Sequence, residues 1–188
     1  MRRIGLVGLV AALVAALGLG TAALAAKRTK TKTFSTGTVF VATPSVGALY
    51  DLPTINVPVR KAKIKDVNVA LSAGHNTAGE LEFELLPPNG PDVNLASGLL
   101  NITEGWGGAS GCGDTMTFDD ESSGGKIEDE GGQIEGSYRP TSPLSALDGK
   151  SPQGNWRLAV NDGAGGDGGS IRCFEVEVKY KKAKKKRK

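Results

Sequence analysis

Five stretches of the chain alternate apolar and polar residues with a period of two. In TINVPV (54–59) Ile55, Val57 and Val59 share one side, and in DVNVALS (66–72) Val67, Val69 and Leu71 do. GELEFELL (79–86) sets Leu81, Phe83 and Leu85 against Glu80, Glu82 and Glu84. NWRLAV (155–160) repeats the scheme with Trp156, Leu158 and Val160, and CFEVEVKY (173–180) with Phe174, Val176, Val178 and Tyr180. Successive side chains of a β-strand point to opposite faces, so this pattern predicts strands with one apolar and one solvated face. TVFVA (38–42), VNLA (93–96) and MTF (116–118) are shorter candidates, and clusters of Gly, Pro, Asn and Asp separate the runs. Helical periodicity is scarce after the first residues, and no internal repeat is present. Many short strands without βαβ spacing predict one all-β antiparallel sandwich from about Phe34 to Tyr180.

The start of the chain reads differently. Arg2 and Arg3 precede an almost wholly apolar run over 4–24, and ALAA (23–26) follows with small residues. That sequence of features describes a secretory signal peptide, residues 1–26, and a secreted, extracellular or envelope-associated product. A retained membrane anchor is the rival, because the run is about long enough to cross a bilayer. Removing 26 of 188 residues leaves 162, enough for one domain with its own core. Export permits a disulfide between the two cysteines, Cys112 and Cys173, which would close a loop of about 60 residues and stabilise by about 4 kcal/mol in the chain-entropy model. Two separately buried thiols are the alternative; the spacing excludes a CxxC zinc site.

Charge is unevenly spread. All 20 acidic residues lie between Asp51 and Glu177, where only nine basic residues accompany them. A basic N-terminal arm, 27–33, precedes this acidic domain, and KYKKAKKKRK (179–188) follows it with eight Lys or Arg in ten. Like-charge runs of this kind are usually disordered and serve as interaction arms, so 181–188 is read as a basic tail. Without aromatic interleaving or a nucleic-acid fold, sequence-specific nucleic-acid binding is not expected. Anionic envelope polymers or membrane surfaces are the partners a cationic tail would attract, and a purely solubilising tail is the alternative. The acidic segment 119–136, with seven acids against Lys126, could pair with such tails, although a solvated loop explains it as well.

The specific signal lies in the order of three stretches: IKDVNVALSAGHNTAGELEFELLPPNG, then TFDDES, then GSYRPTSPLSALDGKSPQGNWRLAVNDGAGGDGGSIRCFEVEV. This resembles the P domain (P/Homo B) found beside the catalytic domain of proprotein convertases such as kexin and furin, and in secreted bacterial subtilisin-like and metalloproteases. The resemblance covers roughly Phe34 to Lys179 and implies a jelly-roll β-sandwich of galactose-binding-like architecture. Two positions depart from the family: Phe174 stands where a tryptophan is usual, and Glu80 lengthens the carboxylate arm of the family's GDL turn. The resemblance implies an accessory domain that stabilises or regulates a subtilisin-like serine protease, here free-standing, and it supplies no catalytic residues. A triad needs Asp, His and Ser, and His75, the lone histidine, falls in the resembled domain's own segment as a turn or strand-end residue.

NDGAGGDGG (161–169) lacks the alternating ligands and terminal Glu of an EF-hand and the stacked copies of a β-roll. The resemblance makes it the connection between the last two strands. A calcium site built from two loops is the remaining metal reading, with Asp119, Asp120, Asp162 and Asp167 as leading ligands and Asp114 and Glu121 nearby in sequence. A carbohydrate-binding module is the last rival; for it only Trp106, in EGWGG, looks placed as an exposed platform, since Trp156 sits on an apolar strand face.

Overall fold

The computed structural model describes residues 29–43, 46–48, 53–97, 102 and 105–183. Residues 1–26, read as a signal peptide, the first two residues of the basic arm and residues 184–188 lie outside them. In chain order the strands are β1 (Thr29–Ser35), β2 (Val41–Ala42), β3 (Gly47–Ala48), β4 (Thr54–Val57), β5 (Ala62–His75), β6 (Leu81–Leu86) and β7 (Val93–Ala96). There follow β8 (Gly105–Trp106), β9 (Met116–Phe118), β10 (Gln133–Ile134), β11 (Ser137–Tyr138), β12 (Gly154–Asp162) and β13 (Gly169–Lys182). Helical structure among the described residues is confined to short 3₁₀ turns. None is long and apolar enough to cross a membrane.

The strands make two sheets. One has eight strands along the path β1-β13-β5-β8-β10, with β9 also on β5, β11 on β9 and β2 on β13. The other has five, β3-β12-β6-β7, with β4 on β12. Pairing is antiparallel except for β10 on β8 and β11 on β9. The apolar positions read from the alternation face each other between the sheets: Val67, Val69 and Leu71 of β5 and Phe174, Val176 and Val178 of β13 oppose Leu81, Phe83 and Leu85 of β6 and Trp156, Leu158 and Val160 of β12. All of these are buried.

Three features depart from simple alternation. In β5 the inward set steps from Ile64 to Val67, and the pairing with β13 shifts between Lys179 and Tyr180. A bulge absorbs the extra residue, and without it every later side chain would change face. β1 occupies positions assigned to the basic arm: Thr29 to Ser35 pair with Lys181 to Glu175. Its Thr–Lys alternation buries only Phe34, so main-chain bonds to β13 hold it, and lysines on an edge strand discourage further strand addition. β13 likewise runs past Tyr180 to Lys182, and the Ala183 N–H donates to the Lys61 carbonyl. Strand structure therefore includes Thr29–Ser35 and continues to Lys182, across positions assigned to the arm and the tail. In TVFVA only Val41 and Ala42 form a strand, and Phe40 is 79% exposed.

Candidate functional site

The inward alternation of β5 continues through Ala73 to His75, and that of β12 through Val160 to Asp162. Each sheet thus ends its core face in a polar residue, and the two meet across the sandwich. His75 Nε2 lies 3.0 Å from Asp162 Oδ2, with both side chains wholly removed from solvent. The Thr77 N–H donates to His75 Nδ1 at 3.1 Å. Nδ1 is therefore the acceptor, and the ring proton sits on Nε2, donated to Asp162. The second Asp162 oxygen, Oδ1, accepts the Ala164 N–H at 3.2 Å. Asp167 completes the cluster: its Oδ1 is 3.8 Å from Nε2, and its Oδ2 accepts the Thr77 hydroxyl at 3.0 Å. Glu80 reaches the same place, so that ligand atoms of His75, Glu80 and Asp167 lie within 4.8 Å of one another.

The glycine loop between β12 and β13 allows this meeting. A side chain at Gly169 would collide with the Gly74 carbonyl oxygen, which pairs beside it, and Gly166 has a φ of +126°. The loop is the connection between the last two strands, and it carries Asp162 and Asp167 to the end of β5.

The four aspartates read as calcium ligands do not converge. Phe118, next to Asp119, lies opposite Val69. His75 is six residues further along β5, about 20 Å at the rise of a strand. Antiparallel strands send alternate loops to opposite ends of a sheet, so the 119–120 segment and the 162–167 loop occupy opposite ends. Both carboxylates of the first segment also have local work. Asp119 Oδ1 accepts the Glu121 N–H at 2.9 Å. Asp120 takes the N–H groups of Leu144 and Ser145 at 2.9 and 2.8 Å, which caps the 3₁₀ turn Leu144–Leu147. A hydrogen bond with Asp119, then desolvation and the nearby Asp66 charge, push the Glu121 carboxyl above its ordinary range.

Trp106 is not a sugar platform. It is wholly buried, its Nε1–H donates to the Ala78 carbonyl at 2.9 Å, and its ring stacks edge-on against Phe83 at 4.9 Å. Trp156 is a core residue, with Nε1–H on the Pro152 carbonyl. Cys112 and Cys173 are disulfide-bonded, tying the turn Gly111–Gly113 to β13. The alternation of β5 and β12 runs one step of two beyond its apolar members, and that step places His75 and Asp162 inward; this phase is the signal in the sequence for the network.

The profile of the family described as "Proprotein convertase P-domain" matches residues 64–178. The chain belongs to the proprotein convertase P-domain family. Residues 64–178 hold β5 to most of β13, including His75, Glu80, Asp162 and Asp167. A "Calcium-dependent protease" of Nostoc sp. (strain PCC 7120 / SAG 25.82 / UTEX 2576) is 31% identical over 117 residues, 62% of this chain. A protein of the same description from Trichormus variabilis (strain ATCC 29413 / PCC 7937) is 31% identical over 118 residues. This P domain spans 14% of the length of those relatives. Among solved structures, the Aeromonas sobria serine protease in complex with the chaperone ORF2 is similar at 17% identity and a TM-score of 0.46, over 86% of this chain and 29% of that one.

Proposed function

We propose that this P domain is an exported, non-catalytic module that stabilises or regulates a subtilisin-like serine protease through a protein–protein contact. The state of His75 carries this reading. A general base needs a free ring nitrogen within reach of the proton it takes. Here Nδ1 is held by the Thr77 N–H and Nε2 by Asp162, inside the end of the sandwich. The His–Asp pair joins the two sheets, and the domain's contribution to proteolysis is mechanical. The test is capture from the culture fluid and envelope of producing cells, with the protein immobilised at low and at high salt. A version ending at Ala183 is run in parallel. Recovery of a subtilisin-like protease by both versions, resistant to salt, supports the proposal. Recovery of anionic envelope polymers alone, lost with the tail or with salt, replaces it with surface attachment.

A second reading concerns calcium, favoured by the convergence of Glu80 and Asp167 beside His75. With both ring nitrogens engaged, an ion there would draw on the carboxylates of Glu80 and Asp167. Main-chain carbonyls and water would complete the six to eight oxygens that calcium takes. A ligand at a hundredfold excess over its Kd stabilises by about 2.7 kcal/mol. Calcium should therefore raise the Tm of the intact protein over that in chelator, and Asp167→Asn should abolish the difference. Equal Tm values in calcium and chelator remove this reading.

A further inference from the structure

The outward face of the larger sheet carries a depression whose shape follows from the register. Thr33, Glu177 and Asn68 stand side by side across β1, β13 and β5. In the neighbouring row, Ser35, Glu175, Ala70 and Thr117 stand across β1, β13, β5 and β9. Ala70 offers only a methyl group between the longer Glu175 and Thr117 side chains, and a hollow of about 210 Å³ opens above it, lined also by Thr33, Asn68 and Glu177. One row further on, Lys179 pairs with Asp66 at 3.7 Å. Glu175 and Glu177 have no such partner: no ion pair among the described residues uses either one. Glu177 only accepts the Thr33 hydroxyl at 3.3 Å. Beside them the buried Asn68 Oδ1 accepts no hydrogen bond. The hollow therefore presents two carboxylates outside any ion pair among the described residues, and no cation lines it. It is complementary to an ammonium or guanidinium group on a slender stem.

We infer that this hollow seats a lysine or arginine side chain, supplied by the basic segment 184–188 (KKKRK) of a second copy of the chain. The two sides are complementary in charge: an acidic hollow on one molecule and five consecutive cations on the other. The occupant comes from a second copy because β13 runs away from Glu175 and Glu177 toward Lys182. A return along the same outward face would cross Lys179 and Lys181, which repel it. A neighbouring molecule approaching across the strands meets the carboxylates without passing those lysines.

The protein ending at Ala183 is titrated with the peptide AKKKRK (residues 183–188) at low salt, and the amide shifts are followed by NMR. Perturbations should centre on Asn68, Ala70, Thr117, Glu175 and Glu177. Each exposed ion pair is worth a factor of about three, so Glu175→Gln with Glu177→Gln should weaken binding about tenfold. Ala70→Leu fills the hollow and should remove the perturbations there, while the double Gln variant tests the same site without altering packing. In sedimentation the intact protein should self-associate at low salt; high salt, the double Gln variant and removal of 184–188 should each leave it monomeric. Shifts confined to the acidic segment 119–135, or to the groove beside Glu82 and Glu84 on the other sheet, overturn the assignment, as does equal binding by the variants. An intact protein that stays monomeric at low salt overturns the second-copy source.

Discussion

Removing the Asp162 carboxylate tests whether the His75–Asp162 contact is structural. In Asp162→Ala the His75 Nε2–H loses its acceptor inside the core end, where the imidazole has no access to water. An orphaned buried donor costs about 1–3 kcal/mol, and loss of the bond to the half-buried Ala164 N–H adds about 0.5–1 kcal/mol. The expected loss is about 1.5–4 kcal/mol, which at about 2–4 °C per kcal/mol for a domain of this size lowers Tm by about 3–16 °C. Asp162→Asn keeps one acceptor oxygen but surrenders the charge-assisted bond, so its loss should be smaller. Urea unfolding with the disulfide intact is the assay, and the midpoint should fall at constant m-value. A double-mutant cycle with His75→Ala should give a coupling of about 1–3 kcal/mol, as for residues in one hydrogen-bond network. A loss below about 0.5 kcal/mol for Asp162→Ala, or additivity of the two changes within that margin, would refute the reasoning.

Four further outcomes follow from named contacts. Cys112→Ser removes a link between positions 61 apart and should cost about 4 kcal/mol in the chain-entropy model, read as a lower denaturant midpoint under oxidising conditions. Trp106→Ala should cost about 3–5 kcal/mol, because it empties a wholly buried site against Phe83; a stable variant with weakened sugar binding would restore the platform reading. Asp120→Ala should cost about 1–2 kcal/mol by uncapping the turn Leu144–Leu147, with faster amide exchange at Leu144 and Ser145. The Tyr138 phenol is pushed above its ordinary value of 10.0, first by burial and then by the charges of Glu130 and Glu135. A raised folded-state pKa means that the native state holds the proton more tightly. Its contribution is thus complete below pH 10 and lost as pH rises through the folded value, and a tyrosinate absorbance titration should show Tyr138 ionising late unless changed to Phe.

The sheets were legible in the sequence wherever burial is one-sided. Leu81, Phe83 and Leu85 alternate with glutamates because one face of β6 packs on the core and the other does not. β1 was illegible for the opposite reason. Its threonines and lysines are exposed on both sides except at Phe34, and a strand held by main-chain bonds at a sheet edge leaves no hydrophobic trace. Trp106 misled because glycines surround it. Those glycines do not mark an open loop: Gly105, at a φ of +136°, brings the short strand β8 against β5, where Trp106 lies opposite Ala73 and turns inward.

The aspartates show what separates a residue list from a site. Composition places Asp119, Asp120, Asp162 and Asp167 in two acidic loops, and nothing in their spacing says which end of the sandwich each loop occupies. The register decides it: β9 pairs with the middle of β5, with its exit toward Asp66, whereas the β12–β13 hairpin closes beside His75. The first pair of carboxylates then finds main-chain N–H groups, and the second finds an imidazole. Alternation did hold the clue to the second pairing, because a strand's period does not stop where its hydrophobic residues do. A polar residue in phase with a core face must be buried, and a buried carboxylate must be paired or neutralised. Asp162 is in phase with Trp156, Leu158 and Val160, and His75 with Leu71 and Ala73. With one histidine in the chain, the partner that burial demands of Asp162 could be named from the two strands alone.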